Sequence, residues 1–482
     1  MDAWTVLAWI VAFIAISITY WYLAIPKNLP PGSSGLPLVG YLPFLNKKAY
    51  LTFFDLKKKF GNVFHLYLGS KLVLVLNDFD AIKEALIKQG DVFSGRTPTF
   101  EIEEFDGDHQ GIVMTDGELW KQHRRFVLRI LRDSGVGKQT LEPLILNEIQ
   151  HFMTEVKKHD DKGPFELHDI LFCSMTNNIH LLTTGKRYDY NHPAIKSLKK
   201  LFADFDELAQ GLPAATFFPW LKPLLSQNIK LNEVKILFVK IIENVIKEHK
   251  ENDDSQNENY IRAYTNEMKT DSNTIFSERG LLHTTRDLIS AGTETSASTL
   301  DWAGLYMANY PEIQKKVQDE IDRVIGQREP SYNDRVNTPY IEATICELHR
   351  IISLVPLSLP HRVTKDTTLY GYNIPKDTMV LPNIWAVHYD KDLWGDPENF
   401  RPERFIGPNG DCVKPEYLIP FSSGKRACAG EPLARMELYL YFVSLLQNFT
   451  FSPPKGEKIS FESPPGLARK PIRNNICIKS RH

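Results

Sequence analysis

The chain has 482 residues, of which 43% are hydrophobic and 24% charged, the make-up of a globular protein with a large core. Its formal net charge of -2 disfavours a nucleic-acid partner or a strongly acidic one. The five cysteines, Cys173, Cys346, Cys412, Cys428 and Cys477, form no CxxC pair, which argues against a disulfide framework and for a reducing compartment.

Residues 3–25 carry no charge. As a helix they reach roughly 35 Å, enough to cross a bilayer's hydrocarbon core. Trp4, Trp9, Tyr20, Trp21 and Tyr22 include rings near both ends, where amphipathic aromatics favour the interface. No basic stretch precedes the apolar run, so an uncleaved anchor is expected rather than a signal peptide. Asp2 precedes the span, and Lys27, Lys47, Lys48, Lys57, Lys58 and Lys59 follow it. The positive-inside rule therefore puts the bulk of the chain in the cytosol. The expected organisation is an anchor over 1–25, a proline-rich linker over 26–40 and one domain over 41–482.

Alternating β-branched and apolar residues predict strands at 63–68 and 72–76. From about 115 to 350 the spacing of apolar residues is mainly helical. The polar run 251–273 reads as an exposed loop. A long helix is expected over 284–309, stopped by Pro311, which then opens another with Ile313, Val317, Ile321 and Val324 on one stripe. Residues 367–381 read as a hairpin turning near 374–377. The fold class is mainly α with small sheets (α+β).

The chemistry concentrates in residues 421–430, Phe-Ser-Ser-Gly-Lys-Arg-Ala-Cys-Ala-Gly. Gly424 and Gly430 permit backbone angles and approaches that side chains forbid. Cys428 falls just before a helix, because Pro432 suits a first turn and apolar residues recur from Leu433. A sulfur there gains from the helix dipole and from backbone N–H groups. Most free cysteines are merely small buried hydrophobes. Here, however, Phe421, Gly424, Arg426, Cys428 and Gly430 stand at relative positions 1, 4, 6, 8 and 10 and resemble the haem-binding signature of the cytochrome P450 family in full. That resemblance implies a haem b whose iron takes the Cys428 thiolate, with Phe421 as an apolar shield.

Further motifs agree with the resemblance. Ala291-Gly292-Thr293-Glu294-Thr295-Ser296 is similar to the family's oxygen-binding helix motif. It implies room for dioxygen at Gly292, a hydroxyl for it at Thr295 and a proton relay at Glu294. Glu347 and Arg350 resemble the ExxR pair, with Arg404 as the third member, three residues that support the haem loop. Trp120 and Arg124 match a WxxxR motif; with Arg426, Arg96 and His361 they are the implied partners of the haem propionates. The pocket wall implied by the resemblance includes Ala291, Val355, Leu359 and Leu467, the loop 97–114, and Phe202, Phe205, Phe217 and Phe218. Its apolar character points to a steroid, a fatty acid or a lipophilic xenobiotic.

The nearest likeness is to microsomal family-2-type enzymes, from which it departs at Ser33, where the linker usually carries proline. The expected activity is insertion of one atom of O2 into a hydrophobic substrate at the endoplasmic reticulum membrane. NADPH acts only indirectly, through NADPH–cytochrome P450 reductase, with cytochrome b5 as a further partner. A basic face on Lys121, Arg125, Arg129 and Arg132 is a candidate docking surface. The alternatives are a haem-thiolate isomerase or dehydratase, and a non-catalytic haem-binding protein.

Overall fold

The computed structural model describes residues 4–6, 9, 12, 25–97, 110–135, 141–208, 214–218, 229–251, 259–270, 275–472 and 475–482. Among them no helix is long and apolar enough to cross a membrane; the span expected over 3–25 lies almost wholly outside the described residues.

The helices that carry the site are α1 (Gly117–Asp133), α2 (Leu167–Thr184), α3 (Pro193–Leu208), α4 (Tyr260–Thr270), α5 (Glu278–Asn309), α6 (Pro311–Val324), α7 (Pro339–Ile352) and α8 (Glu431–Asn448). Helix α5 runs through the middle and packs against α2, α4, α6, α7 and α8. It starts earlier than the apolar spacing suggests, because the Ser277 side chain accepts the Gly280 N–H as a cap. It ends at Tyr310, which lies outside the helical region (φ -122, ψ 73), as a residue before proline prefers. Helix α6 buries Ile313, Val317 and Ile321 along the expected stripe.

Among the described residues ten short strands form three sheets: β1 (Gly32–Ser33), β2 (Val63–Leu68), β3 (Lys71–Leu76), β4 (Gly95–Arg96), β5 (His361–Arg362), β6 (Thr367–Leu369), β7 (Tyr372–Ile374), β8 (Met379–Pro382), β9 (Phe449–Ser452) and β10 (Cys477–Ser480). Their order in the main sheet is β1-β2-β3-β8-β5-β4. The sheet buries Leu74, Leu76, Phe93 and Val380 on one side and Phe64, Leu66, Val73 and Phe217 on the other.

Two expectations are corrected. The polar run 251–273 contains helix α4, which buries Tyr260, Ile261, Ala263 and Tyr264; four apolar residues at helical spacing outweigh the polar majority. The hairpin turns at Tyr370 and Gly371, both at positive φ (50 and 79), between β6 and β7, the left-handed geometry that suits two-residue hairpins. Pro375 instead lies on the way to β8. The proline-rich stretch is tied to the main sheet, since Gly32 and Ser33 pair in parallel with His65 and Leu66. Ser33 also accepts the Gly35 N–H through its hydroxyl (3.2 Å).

Candidate active site

The Cys428 loop is held from both ends. Its amide donates to the Phe421 carbonyl at 3.0 Å, while the Gly430 and Glu431 amides donate to its sulfur. Helix α8 follows with Gly430 at the cap position and Pro432 in the first turn. Gly424 sits at φ +74, and a Cβ there would lie 1.9 Å from the Leu86 carbonyl oxygen, so only glycine fits. Gly430 has no such demand; a Cβ there would sit 3.9 Å from the Cys428 sulfur, at ordinary contact distance. Cys428 is itself exposed; the protein packed around its sulfur pushes the thiol up, while the two amides and the Arg124 guanidinium pull the other way. Phe421 is flanked by the His349 ring at 5.1 Å and the Arg435 guanidinium at 5.0 Å.

Around this loop converge three arginines. Arg96 is buried and donates to the carbonyls of Val113 (3.1 Å) and Leu359 (3.2 Å). Arg426 is buried and donates to the carbonyls of Ser94 (2.8 Å), Thr115 (2.5 Å) and Ile112 (3.4 Å). Arg124 donates to the Ala427 carbonyl at 2.6 Å. No salt bridge engages any of the three among the described residues. Arg426 lies 3.6 Å above the Trp120 ring. Burial and mutual repulsion lower the Arg426 guanidinium to about 8 and Arg96 to about 9. Beside them, two buried nitrogens have no partner among the described residues, the indole N–H of Trp120 and Nε2 of His361; the His361 Nδ1–H donates to the Phe93 carbonyl at 2.7 Å, so Nε2 becomes a donor only on a protonated ring. Buried polar groups without partners are costly. What this set lacks is a pair of carboxylates, and haem propionates have that chemistry.

The brace behind the loop is fully enclosed. Arg350 binds Glu347 through two bonds, 2.7 and 2.8 Å, and both side chains are 0% exposed. Arg404 adds a bond to the same carboxylate at 3.1 Å. Arg350 also donates to the carbonyls of His388 and Pro397, and Arg404 to that of Trp394. These three residues pin the segment 388–404 onto α7.

On α5, the residues Leu288, Ala291, Gly292 and Thr295 remain accessible within an otherwise largely buried stretch. Their spacing places them on one stripe. Thr295 donates to the Ala291 carbonyl at 2.7 Å. The small residue at Gly292 also serves packing. A Cβ there would lie 3.0 Å from Ile179 Cδ1, so the glycine admits close packing of α2. Glu294 is buried away from the stripe. Its carboxylate meets Lys470 Nζ at 2.8 Å and His168 Nε2 at 3.5 Å and accepts from Ser298 at 3.3 Å. Lys470 also pairs with Asp206 at the end of α3, and His168 faces Asp301 at 3.7 Å, whose carboxyl burial raises to about 7.

Of the expected pocket wall, Val355 and Leu359 are half-buried and Leu467 is 49% exposed. Phe202 packs on Phe172 at 5.5 Å, whereas Phe217 is buried in the core of the sheet and cannot line an open wall. Most of the loop 97–114 lies outside the described residues. On the basic face, Arg129 is engaged by Glu267 at 2.5 Å, while Arg125 is exposed.

Sequence reasoning missed His168, Lys470 and Asp301 around Glu294. It also missed Glu437, a buried carboxyl on α8 that accepts from Ser296 at 3.0 Å and is pushed up to about 8 by burial. A lone acid inside the apolar run 433–446 was a readable signal for Glu437; nothing in the sequence foretold the others, whose partners are distant in the chain.

Sequence comparison matches residues 30–478 to the family described as Cytochrome P450. The chain is 40% identical over 463 residues to cytochrome P450 2J2 of Homo sapiens, covering 94% of this chain and 91% of that protein. It is 39% identical over 469 residues to cytochrome P450 2J1 of Oryctolagus cuniculus, covering 95% and 92%. Against cytochrome P450 2U1 of Bos taurus the identity is 37% over 496 residues, covering 96% and 91%.

Proposed function

The chain belongs to the cytochrome P450 family and is a haem-dependent monooxygenase, and on that premise we propose how its own residues serve the reaction. Cys428 would hold the haem iron through its thiolate. Trp120, Arg124, Arg426, Arg96 and His361 hold the propionates. The carrying observation is the set of three buried or half-buried arginines without a salt bridge among the described residues, beside the unpartnered indole N–H of Trp120. Bound there, haem supplies the activation of O2, with the thiolate pushing electron density toward O–O cleavage.

The protein's part is orientation, dryness and protons. Phe421 shields the sulfur from water, and Gly424 lets the loop approach Leu86. Gly430 leaves the space beside the sulfur free of a side chain. Glu347, Arg350 and Arg404 keep the loop's support rigid. The accessible stripe on α5 faces the reacting centre, with Ala291 against substrate and the Thr295 hydroxyl holding a proton. Glu294 lies behind that stripe. It delivers protons from the Lys470–His168–Asp301 group after its ion pair loosens, a general-acid role.

Val355, Leu359 and Leu467 contribute apolar wall, which favours a hydrophobic substrate such as a steroid, fatty acid or lipophilic xenobiotic. Electrons come from NADPH through a membrane-bound flavoprotein reductase, with cytochrome b5 as a second donor, and the exposed Arg125 belongs to their docking face. Residues 1–25 anchor the protein in the endoplasmic reticulum membrane, 26–40 connect, and 41–482 form the cytosolic catalytic domain.

The test is reconstitution with reductase and lipid. NADPH should drive oxygen uptake together with an oxygenated product from a lipophilic substrate. Thr295→Ala should keep consuming NADPH while losing most of the organic product. A variant that keeps full product yield, or a wild type that rearranges peroxides without NADPH, would overturn the reading.

A further inference from the structure

Two of the five cysteines, far apart in sequence, meet on the side of α7 opposite the main helical core. Cys346 is buried on α7 and packs in a small apolar cluster with Ala343, Trp394 and Phe405, against which half-buried Cys412 is seated. The Cys346 thiol donates to the Cys412 sulfur. Cys412 is fixed in place by an isolated bridge to Ile406 and by the Val413 amide donating to Phe405 at 2.8 Å. Lys414, paired with Glu342 at 2.6 Å, brings a cation to both sulfurs. The remaining cysteines have no such neighbour.

We propose that Cys346 and Cys412 form a reversible redox site, at which hydrogen peroxide converts the two thiols to a disulfide. The division of labour follows from position. Cys412 is the more accessible thiol and the one lowered, by the bond from Cys346 and by Lys414. Cys346 is buried and raised. An accessible low-pKa thiol beside a resolving thiol is the arrangement that reacts selectively with peroxide.

In the first step the Cys412 thiolate attacks one peroxide oxygen. A sulfur–oxygen bond forms, the O–O bond breaks, and the departing hydroxide takes a proton to become water; sulfur is oxidised to the sulfenic acid and peroxide reduced. In the second step the Cys346 sulfur attacks that sulfenic sulfur. The S–S bond forms, the S–O bond breaks, and hydroxide leaves with the Cys346 proton as a second water. The cross-link joins α7 to the segment after Arg404, the two elements that the Glu347–Arg404 bond already ties. Oxidation would therefore staple the brace of the Cys428 loop without touching Cys428.

The experiment uses the full haem-loaded protein. It is titrated with hydrogen peroxide up to the dose that bleaches half its reduced carbon monoxide band, quenched with N-ethylmaleimide and digested without reduction for mass spectrometry. The expected product is a peptide pair joined through Cys346 and Cys412, reversed by a thiol reductant. In Cys346→Ser, Cys412 should stop at a sulfenic acid trapped by dimedone; in Cys412→Ser, Cys346 should stay reduced. Finding both thiols alkylated at every dose, or disulfides of Cys173 or Cys477 forming first, would overturn the proposal.

Discussion

Arg350 has no water to turn to if its partner Glu347 is lost. The Glu347 carboxylate and the Arg350 guanidinium are both fully enclosed, and a buried ion left single costs about 3–5 kcal/mol. Glu347→Ala should therefore lower unfolding free energy by that amount in denaturant titrations and reduce the haem retained. A loss below about 1 kcal/mol would show that the brace is not structural. Glu437 makes a different prediction. Burial lifts its carboxyl from 4.5 to about 8, so between those values the folded chain holds a proton that the unfolded chain has released. Its stabilisation is whole below the lower value and lost as pH rises through the upper one. Glu437→Gln keeps the shape and the acceptor for Ser296 and cannot ionise. Relative to it, the wild type should lose on the order of 1 kcal/mol per pH unit from about pH 5 to about pH 8, then level off. Unfolding curves of the two proteins that differ by a constant would contradict this.

At the scale of elements, the contact between α5 and α2 turns on Gly292. Gly292→Val should push into Ile179 and cost about 1–3 kcal/mol, the usual price of overpacking, and Ile179→Ala in the same chain should recover part of it; a double-mutant cycle with no coupling would reject the contact. This case also shows what sequence leaves unread. The helix around Gly292 is legible from its periodicity, but which neighbour requires the glycine is decided by a residue more than a hundred positions away. Strands β2 and β3 and the stripe of α6 follow from local alternation and spacing. Helix α4 is hidden because charged and amide residues dominate the run 251–273 around its four buried ones. The hairpin turn was sought at a proline, when the left-handed backbone needed Tyr370 and Gly371.

For the whole molecule, the site was legible where one stretch of chain carries it. The Cys428 loop and the Glu347–Arg350 pair are local patterns, each carried by one short stretch of chain. The ring of Arg96, Arg124 and Arg426 is drawn from segments on either side of the fold, and motif resemblance alone had pointed to it; its unanswered charge became visible only in three dimensions. The Glu294 network and the Cys346–Cys412 meeting were not legible at all, since each depends on how distant segments dock. The account rests on one sulfur ligating iron, and one measurement addresses it: the carbon monoxide difference spectrum of the reduced, haem-loaded protein beside Cys428→Ser. The wild type should show a Soret band displaced far to the red, absent in the variant. A wild-type band at the position of a histidine-ligated haem, or a red-shifted band surviving in Cys428→Ser, would contradict it.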